Sequence, residues 1–486
     1  MTKNTSTATA DPFETISDRA APVRIFHWDF NHLLLLAFVE IGVIFLAYTA
    51  AVIVRLHFAP GVQWLDTVNG LFWLRVSIVA GLFALGMACM GMYQLRQRTR
   101  FTGVLARLFI AVLIAEAGLA ILFYLVPPLF IGRGVLVLTG AFGFLGLMAT
   151  RYMFQKFADE DIFKRRVLVW GAGSRASIIG TRLRRRADQR GFKIVGYVRA
   201  PGDDPDTPCS NLLQPGASLV QFAMRNRVEE IVVAMDDRRS GFPEAELMEC
   251  RLRGVQVNEI LTFLERESGR VSVELAQPSW FIYSQGFRCD MLRLASKRLF
   301  DIGAALAVLL VTLPVALLAA VAVFLEDRGP ILYRQIRTGQ HGRSFPVLKF
   351  RSMRVDAEAC GTAIWAQQND PRVTRVGAFI RKFRIDEIPQ LLNVLAGQMS
   401  FVGPRPERPS FVKELTEAIP FYPERHFVKP GLTGWAQVRY SYGSSVADAR
   451  EKLGYDLYYV KNHSLVFDLM VLLLTVEIVL FRVGSR

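Results

Sequence analysis

Four long apolar runs, at roughly 32–54, 71–93, 104–126 and 134–154, follow a polar, Ser/Thr-rich start. Each has the length of a membrane-crossing helix, since about 20 apolar residues span the hydrocarbon core of a bilayer. The pattern then changes period. A short apolar block at 166–171 is followed by a glycine turn, a helical stretch to about Arg186, a second block from Phe192 to Val198 and a later one from Glu230 to Met235. Short buried blocks alternating with helical stretches predict an α/β unit. A fifth apolar run covers 302–325 with Pro314 in its middle. Beyond Arg328 come short strand-like runs rich in arginine. The last stretch, Tyr455 to Phe481, holds an apolar run broken by Asp468 and Glu477. Its uninterrupted part is short for a span, so it predicts helices at a membrane interface or in a core.

Composition agrees with this division. The 486 residues are 52% hydrophobic, with a formal net charge of +15. Basic residues are spread among apolar segments, which favours anionic lipid headgroups and phosphorylated ligands over nucleic acid. Arg96, Arg98, Arg100 and Arg107 lie between the second and third runs, and Arg151, Lys156, Lys164, Arg165 and Arg166 at or after the end of the fourth. Positive charge marks the cytosolic side, so both ends of the four-helix block are expected there. Glu40 and Glu116 fall inside spans, where interhelical hydrogen bonding or protonation is the expected state. Five cysteines and six histidines show neither disulfide nor zinc spacing. Residues 1–27 read as a disordered cytosolic tail without a cleavable leader.

In the α/β unit the turn is Gly171-Ala172-Gly173, with Ala176 at the third glycine position. Glycines here let a phosphate approach a helix N-terminus, which makes Gly171 and Gly173 the cofactor-binding candidates. The second strand, however, ends at Arg199, where a ribose-binding carboxylate is expected. No Tyr-x-x-x-Lys pair follows. A Rossmann-like scaffold that packs, or supports a homodimer, is the favoured reading. A dehydrogenase-type cofactor site is the alternative.

The C-terminal region carries the chemistry. Arg334, Arg337, Arg343, Lys349, Arg351 and Arg354 precede Arg372, Arg375, Arg381, Lys382 and Arg384. Arginine's planar fork suits phosphate oxygens. Asp386 and Glu387 come next, with Pro389 behind them. Proline favours the first turn of a helix, so a helix is expected to begin near Asp386 and end before Gly397. Two adjacent carboxylates repel unless a cation offsets them. Mg2+, held through Asp386 and Glu387 with substrate phosphates, fits that need.

Five motifs occur in order: Lys297-Arg298-x-x-Asp301 before the proline-broken run, Lys349-Phe350-Arg351-Ser352-Met353, Asp386-Glu387-x-Pro389-Gln390, Val402-Gly403-Pro404-Arg405-Pro406 and Lys429-Pro430-Gly431-Leu432-Thr433-Gly434-Trp435. Together they resemble the bacterial sugar transferase family, the monotopic phosphoglycosyl transferases. The whole architecture looks like the large polyprenyl glycosylphosphotransferases that initiate exopolysaccharide or O-antigen synthesis. Arg384-Ile385-Asp386 and the stretch from Val438 to Lys461 are similar to exopolysaccharide transferases found with exosortase systems.

The resemblance implies an undecaprenyl-phosphate sugar phosphotransferase at the cytosolic face of the bacterial inner membrane. It would take a UDP-sugar, glucose being the expected one, and undecaprenyl phosphate, with bilayer lipids around it. Asp386 would be the nucleophile that forms a phosphosugar-aspartate intermediate, and Glu387 its partner. Lys349, Arg351, Arg381, Arg384 and Arg405 would be phosphate ligands. Lys297, Arg298, Asp301 and Pro314 would anchor the apolar helix at the interface. A fifth crossing would carry this site away from cytosolic nucleotides, so residues 297–325 are expected to form a broken, re-entrant helix. The expected organisation is a four-helix transmembrane block (28–157), a Rossmann-like α/β domain (158–288) and an α/β transferase module (289–486). A nicotinamide-dependent sugar-nucleotide dehydratase or epimerase, and a non-catalytic assembly scaffold, are the competing functions.

Overall fold

The structure is a computed structural model. It describes residues 32–57, 71–90, 92–93, 101–130, 132–157, 164–183, 191–204, 211–213, 218–239, 241–284, 290–354, 372–440 and 445–481, with isolated positions 189, 286, 287 and 443. The expected N-terminal tail and loop residues Arg96, Arg98 and Arg100 lie outside the described residues.

The four apolar runs are helices: α1 (His32–His57), α2 (Phe72–Cys89), α3 (Phe101–Leu125) and α4 (Arg133–Phe157). Ile44, Tyr48, Phe83, Met87, Leu108, Leu119 and Leu147 fill the space between them. Phe38, Leu46, Trp73, Ile121 and Tyr124 face outward, an apolar surface of the kind a lipid bilayer covers. Helices α1, α3 and α4 are long and apolar enough to cross a membrane, as is the later helix Met291–Asp327, whereas α2, expected to span, is shorter. Gly86 permits close packing of α2 on α3, because a Cβ there would stand 2.5 Å from the Ala111 carbonyl oxygen. Glu40 pairs with Arg151 across α1 and α4 at 3.0 Å, and Arg151 also donates to the Met92 carbonyl at 2.9 Å. The bundle interior is thus stapled by an ion pair, as expected for Glu40. Glu116 packs against Gly140, and its Oε1 has no hydrogen-bond partner among the described residues.

The next unit is a five-stranded parallel sheet. It comprises β1 (Arg165–Trp170), α5 (Ser174–Arg182), β2 (Phe192–Val198), β3 (Leu212–Leu213), α6 (Leu219–Arg225), β4 (Glu230–Val233), α7 (Glu244–Leu252), β5 (Gln256–Glu259), α8 (Ile260–Ser268) and α9 (Pro278–Tyr283). The strand order is β3-β2-β1-β4-β5. Alternation along β1 sends Val167 and Val169 into one apolar layer and Leu168 and Trp170 into the other. Both faces are covered, which is why these strands read as unbroken apolar blocks. Helix α5 is described to Arg182, Arg186 lying outside the described residues, and β4 ends at Val233.

The last unit begins with α10 (Met291–Asp327), followed by β6 (Leu332–Thr338), β7 (Ser344–Phe350), α11 (Arg375–Lys382), α12 (Gln390–Leu395), β8 (Ser400–Val402), α13 (Pro409–Ala418), β9 (Gly431–Thr433), α14 (Trp435–Arg439), α15 (Val446–Asn462) and α16 (Leu465–Phe481). Strands β6 and β7 form an antiparallel hairpin that sets Tyr333 opposite Lys349. Helix α10 runs through Pro314 without losing its helical assignment. The expected interruption is absent because an internal proline removes one backbone donor and kinks a helix without having to end it. Both arms of α10 pack on this unit. Ala305 joins Phe345, Leu391 and Val394, while Ala319 and Val323 join Phe350 and Ile380. Between the arms, Leu310, Val311, Leu317 and Leu318 are exposed.

Helix α16 supplies Phe467 and Val471 to the core, so its first turns have the core role. Helix α15 docks the unit on the parallel-sheet domain. Leu453 and Leu457 pack with Leu261, Val271 and Trp280. Gly454 lets the backbones meet, since a Cβ there would lie 2.5 Å from the Val271 carbonyl oxygen. Lys461 pairs with Glu265 at 2.7 Å, and the Trp435 indole donates to Gly269 at 2.7 Å.

Candidate active site

Arg384 turns the chain sharply between α11 and α12, with φ at +54°. Residues Ile385–Glu387 then form a 3-10 turn, and α12 begins only at Gln390. The two carboxylates therefore lie in the turn before the helix, not in its first turn as the sequence suggests. Pro389 has no N–H to donate, and the segment closes with i to i+3 bonds, Glu387 N to Arg384 O and Ile388 N to Ile385 O, both 3.2 Å. Ile385 and Ile388 pack in the apolar layer beneath α10. Asp386 is 8% exposed.

Three cations reach Glu387. Lys349 Nζ, at the end of β7, lies 3.2 Å from its Oε1; Arg384 is at 3.5 Å and Arg405 at 3.9 Å. Burial alone would raise the Glu387 pKa, but Lys349, Arg405 and Arg384 outweigh it and hold the carboxyl at about 2. Asp386 goes the other way. Burial, then repulsion from Glu387, pushes its pKa up against the fields of Lys349 and Arg381. Burial also lowers the Lys349 pKa, with Glu387 opposing. One carboxylate is thus a permanent anion neutralised by its neighbours. The other is more basic and less well solvated, the condition of an activated nucleophile.

Arg405 sits on the loop after β8. Gly403 N donates to Thr433 O at 2.9 Å and Gly431 N to Pro404 O at 3.0 Å, tying the loop to β9. Arg337 on β6 donates to the Pro406 carbonyl at 3.3 Å. The motifs far apart in the chain, Lys349, Asp386-Glu387 and Arg405, thus converge on one site.

Other candidates stand elsewhere. Arg351 is buried and paired with Asp327 at the end of α10. It ties strand to helix and has no described contact with the dyad. Lys297 binds Asp468 at 2.6 Å and approaches the Tyr459 hydroxyl at 3.3 Å. Arg298 caps α12 by donating to the Val394 and Leu395 carbonyls at 2.6 and 2.7 Å. Asp301 accepts from Ser400 Oγ at 3.0 Å and Phe401 N at 3.1 Å. These three side chains fasten α10 to the protein. Of these candidates' partners, Asp327 and Tyr459 carry no local sequence signal, and Asp468 shows only as a break in an apolar run.

The glycine turn of the parallel sheet already holds its anions. Asp236 accepts from Ser174 N and Arg175 N, both at 2.8 Å, and from Ser174 Oγ at 3.0 Å. Asp203 accepts from Ala172 N at 2.7 Å and Ala200 N at 2.8 Å. Gly173 faces Asp236, not a free space: a Cβ would lie 2.0 Å from its carboxylate. Gly171, at φ +125°, serves the close approach of β1 to the Ala234 backbone. The amides that would cradle a phosphate are occupied, so these residues do not fit a nucleotide cofactor.

At the dyad a divalent cation would have, among the described residues, only Asp386 and Glu387 to bind, and Glu387 already faces Lys349, Arg384 and Arg405. Among the described residues no group of three or more His, Cys, Asp or Glu could hold a metal. Two adjacent carboxylates, one destabilised by the other, suit a hard ion that takes its remaining ligands from phosphates and water.

Over residues 292–482 the chain matches the family described as bacterial sugar transferase, and over 88–242 that described as CoA-binding domain. It is 31% identical to a UDP-glucose:undecaprenyl-phosphate glucose-1-phosphate transferase of Xanthomonas campestris pv. campestris, over 77% of this chain and 78% of that one. It is 40% identical to a UDP-N-acetylgalactosamine-undecaprenyl-phosphate N-acetylgalactosaminephosphotransferase of Aeromonas hydrophila, over 52% of this chain and 58% of that one. To an undecaprenyl-phosphate glucose phosphotransferase of Komagataeibacter xylinus it is 35% identical over 64% and 58%. The matched region thus spans little more than half the length of the last two relatives.

Proposed function

The chain belongs to the bacterial sugar transferase family, and from that premise we propose that it moves a sugar-1-phosphate from a UDP-sugar to undecaprenyl phosphate at the cytosolic face of the bacterial inner membrane. The observation that carries this is the split dyad: Glu387 neutralised by Lys349, Arg384 and Arg405, and Asp386 beside it, buried and with its pKa raised.

An Asp386 oxygen attacks the sugar-bearing phosphorus. The bond from that phosphorus to the bridging oxygen breaks, and UMP leaves with the electron pair. The resulting acyl phosphate keeps the energy of the anhydride. An oxygen of undecaprenyl phosphate then attacks the same phosphorus and returns the Asp386 carboxylate. Arg405 and Lys349 hold phosphate oxygens in both halves, and Arg381 adds its field. A divalent cation such as Mg2+ would be held by Asp386 and Glu387 together with the diphosphate, and would supply further neutralisation.

Placement of α10 supports access to a lipid phosphate. A straight helix would separate Arg298 from Val323 by about 37 Å. Yet Arg298 caps the end of α12, while Val323 packs in the layer that holds Ile385 and Ile388, just before α12 begins. From 385 to 395 the chain rises only about 15 Å at helical pitch. We place a bend near Pro314, with the exposed apolar residues 306–318 dipping into one leaflet, so that α10 is a re-entrant helix. The order of the parallel sheet supports a Rossmann-like scaffold, here without a cofactor step. Initiation of an exopolysaccharide repeat unit, with glucose as the sugar, is the pathway role we assign.

The test is UMP release by purified protein given undecaprenyl phosphate, Mg2+ and a panel of UDP-sugars, beside Asp386→Asn. Release with one sugar, lost in the variant, establishes reaction and donor together. Release that survives Asp386→Asn removes the aspartate intermediate.

A further inference from the structure

Behind the Arg405 loop, away from the dyad, lies a buried ion pair that the chemistry above does not use. Arg425 and Asp456 are 6% and 3% exposed at their side chains and 2.7 Å apart. Arg425 Nε also donates to Asp456 at 3.0 Å and Nη1 to the Tyr422 hydroxyl at 2.8 Å. One bond leaves this closed set. Arg425 Nη2 donates to the carbonyl of Arg405 at 3.1 Å.

Stability does not explain such a pair. Well-packed apolar residues usually serve a core as well or better, because desolvating both charges offsets their attraction. What a guanidinium offers is a rigid planar fork that fixes several acceptors at set angles. Here the acceptors are a carboxylate, a phenol and one peptide oxygen of the loop. That peptide belongs to the residue whose side chain reaches Glu387.

We propose that Arg425 is a positioning residue: held by Asp456 and Tyr422, it fixes the Arg405 peptide and so aims the Arg405 guanidinium at the donor's diphosphate. The idea rests on the transfer reading above. Asp456 is carried on α15, whose Leu453 and Leu457 pack against the parallel-sheet domain. The setting of Arg405 therefore traces back to how α15 is seated between the two units. Thr338 N, which donates to Glu407 O at 2.9 Å, and Arg337 hold the far side of the same loop. Arg425 supplies the near side.

The test is a double-mutant cycle of Arg425→Lys and Arg405→Ala in the full-length chain. Two readouts are taken: the UDP-glucose KM and kcat for UMP release, and the UMP dissociation constant, which needs no turnover. Lysine keeps the charge for Asp456 but cannot hold all three acceptors. It is expected to weaken UMP binding and kcat/KM by ~10- to 100-fold, the scale of a misplaced catalytic contact. In the Arg405→Ala background the same change is expected to have almost no effect, because the group it positions is gone. Equal losses in both backgrounds would show a general structural role and overturn the proposal, as would an Arg425→Lys protein that binds and turns over normally. If Arg425→Lys does not fold, Tyr422→Phe, which removes one support of the fork, enters the cycle under the same criterion. Wild-type protein that binds UMP but never releases it from a UDP-sugar would refute the transfer reading while the binding cycle still decides the role of Arg425.

Discussion

Lys349 Nζ lies 3.2 Å from Glu387 Oε1, so the ammonium most closely engaged at the dyad serves its second carboxylate. Arg384 and Arg405 reach the same group. The arrangement separates two neighbouring acids that would otherwise share one fate. Glu387 absorbs the positive charge and stays ionised, and its negative field, with burial, makes Asp386 more basic. A nucleophile and an electrostatic partner arise from adjacent residues by environment alone.

Lys349→Met should therefore damage donor binding more than folding. It leaves Glu387 with two weaker partners and places uncompensated negative charge where a diphosphate must sit. A charge-assisted hydrogen bond is worth about 1.5–3 kcal/mol, so the UDP-sugar KM should rise roughly 10- to 100-fold. Lys349→Arg should recover part of this. Steady-state kinetics at varied donor check it; an unchanged KM would show that Lys349 does not face the donor.

Asp301→Ala should loosen α10. Asp301 is buried and accepts from Ser400 Oγ and the Phe401 amide. Its loss leaves a buried amide unpaired at a cost of about 1–3 kcal/mol, which corresponds to a fall in Tm of roughly 2–12 °C. Thermal melting of detergent-solubilised protein measures this. The conservative Asp301→Asn, which keeps an acceptor, should fall less, and equal falls would contradict the assignment.

Much of this was legible in the chain before the structure. The four N-terminal helices and β1 are continuous apolar runs, and such runs report an environment away from water directly. Lys349, Asp386, Glu387 and Arg405 stood out because each lies in a short dense motif. Less legible was anything set by distant partners. Arg351 looked like Lys349 in sequence, but its guanidinium is taken by Asp327, 24 positions away. Lys297 looked like a lipid anchor and meets Asp468 across 171 positions. The glycine turn looked able to accept a phosphate because nothing local reveals that Asp203 and Asp236 return to cap it.

Asp236→Ala offers a test of that last point. Removing the carboxylate frees the Ser174 and Arg175 amides at the start of α5. Loss of such a cap costs about 1 kcal/mol, seen as a fall in Tm of roughly 2–4 °C. Added inorganic phosphate should restore part of the loss in the variant by binding the vacated amides, through ordinary linkage. In the wild type, phosphate, coenzyme A and NAD should leave Tm unmoved. A wild-type shift with either nucleotide would reinstate a cofactor role for the turn.

His426 should make the transferase module acid-sensitive above the range where carboxylates titrate. It sits beside Arg425 on the 3-10 turn Pro423–Phe427. Burial, then repulsion from Arg425, lowers its pKa from 6.5 to about 4, with the Pro423 carbonyl opposing. Above pH 6.5 the folded and unfolded chains both carry a neutral imidazole, and the residue makes no pH-dependent contribution. Between 6.5 and about 4 only the unfolded chain binds the proton, so stability drains as pH falls. Below about 4 both forms are protonated and the loss is complete. The full difference corresponds to at most ~3 kcal/mol. His426→Gln removes the proton uptake while retaining a hydrogen-bonding side chain. Between pH 7 and pH 5 the variant should lose several degrees of Tm less than the wild type, roughly 4 °C. Parallel decline of the two melting curves would place the acid sensitivity elsewhere.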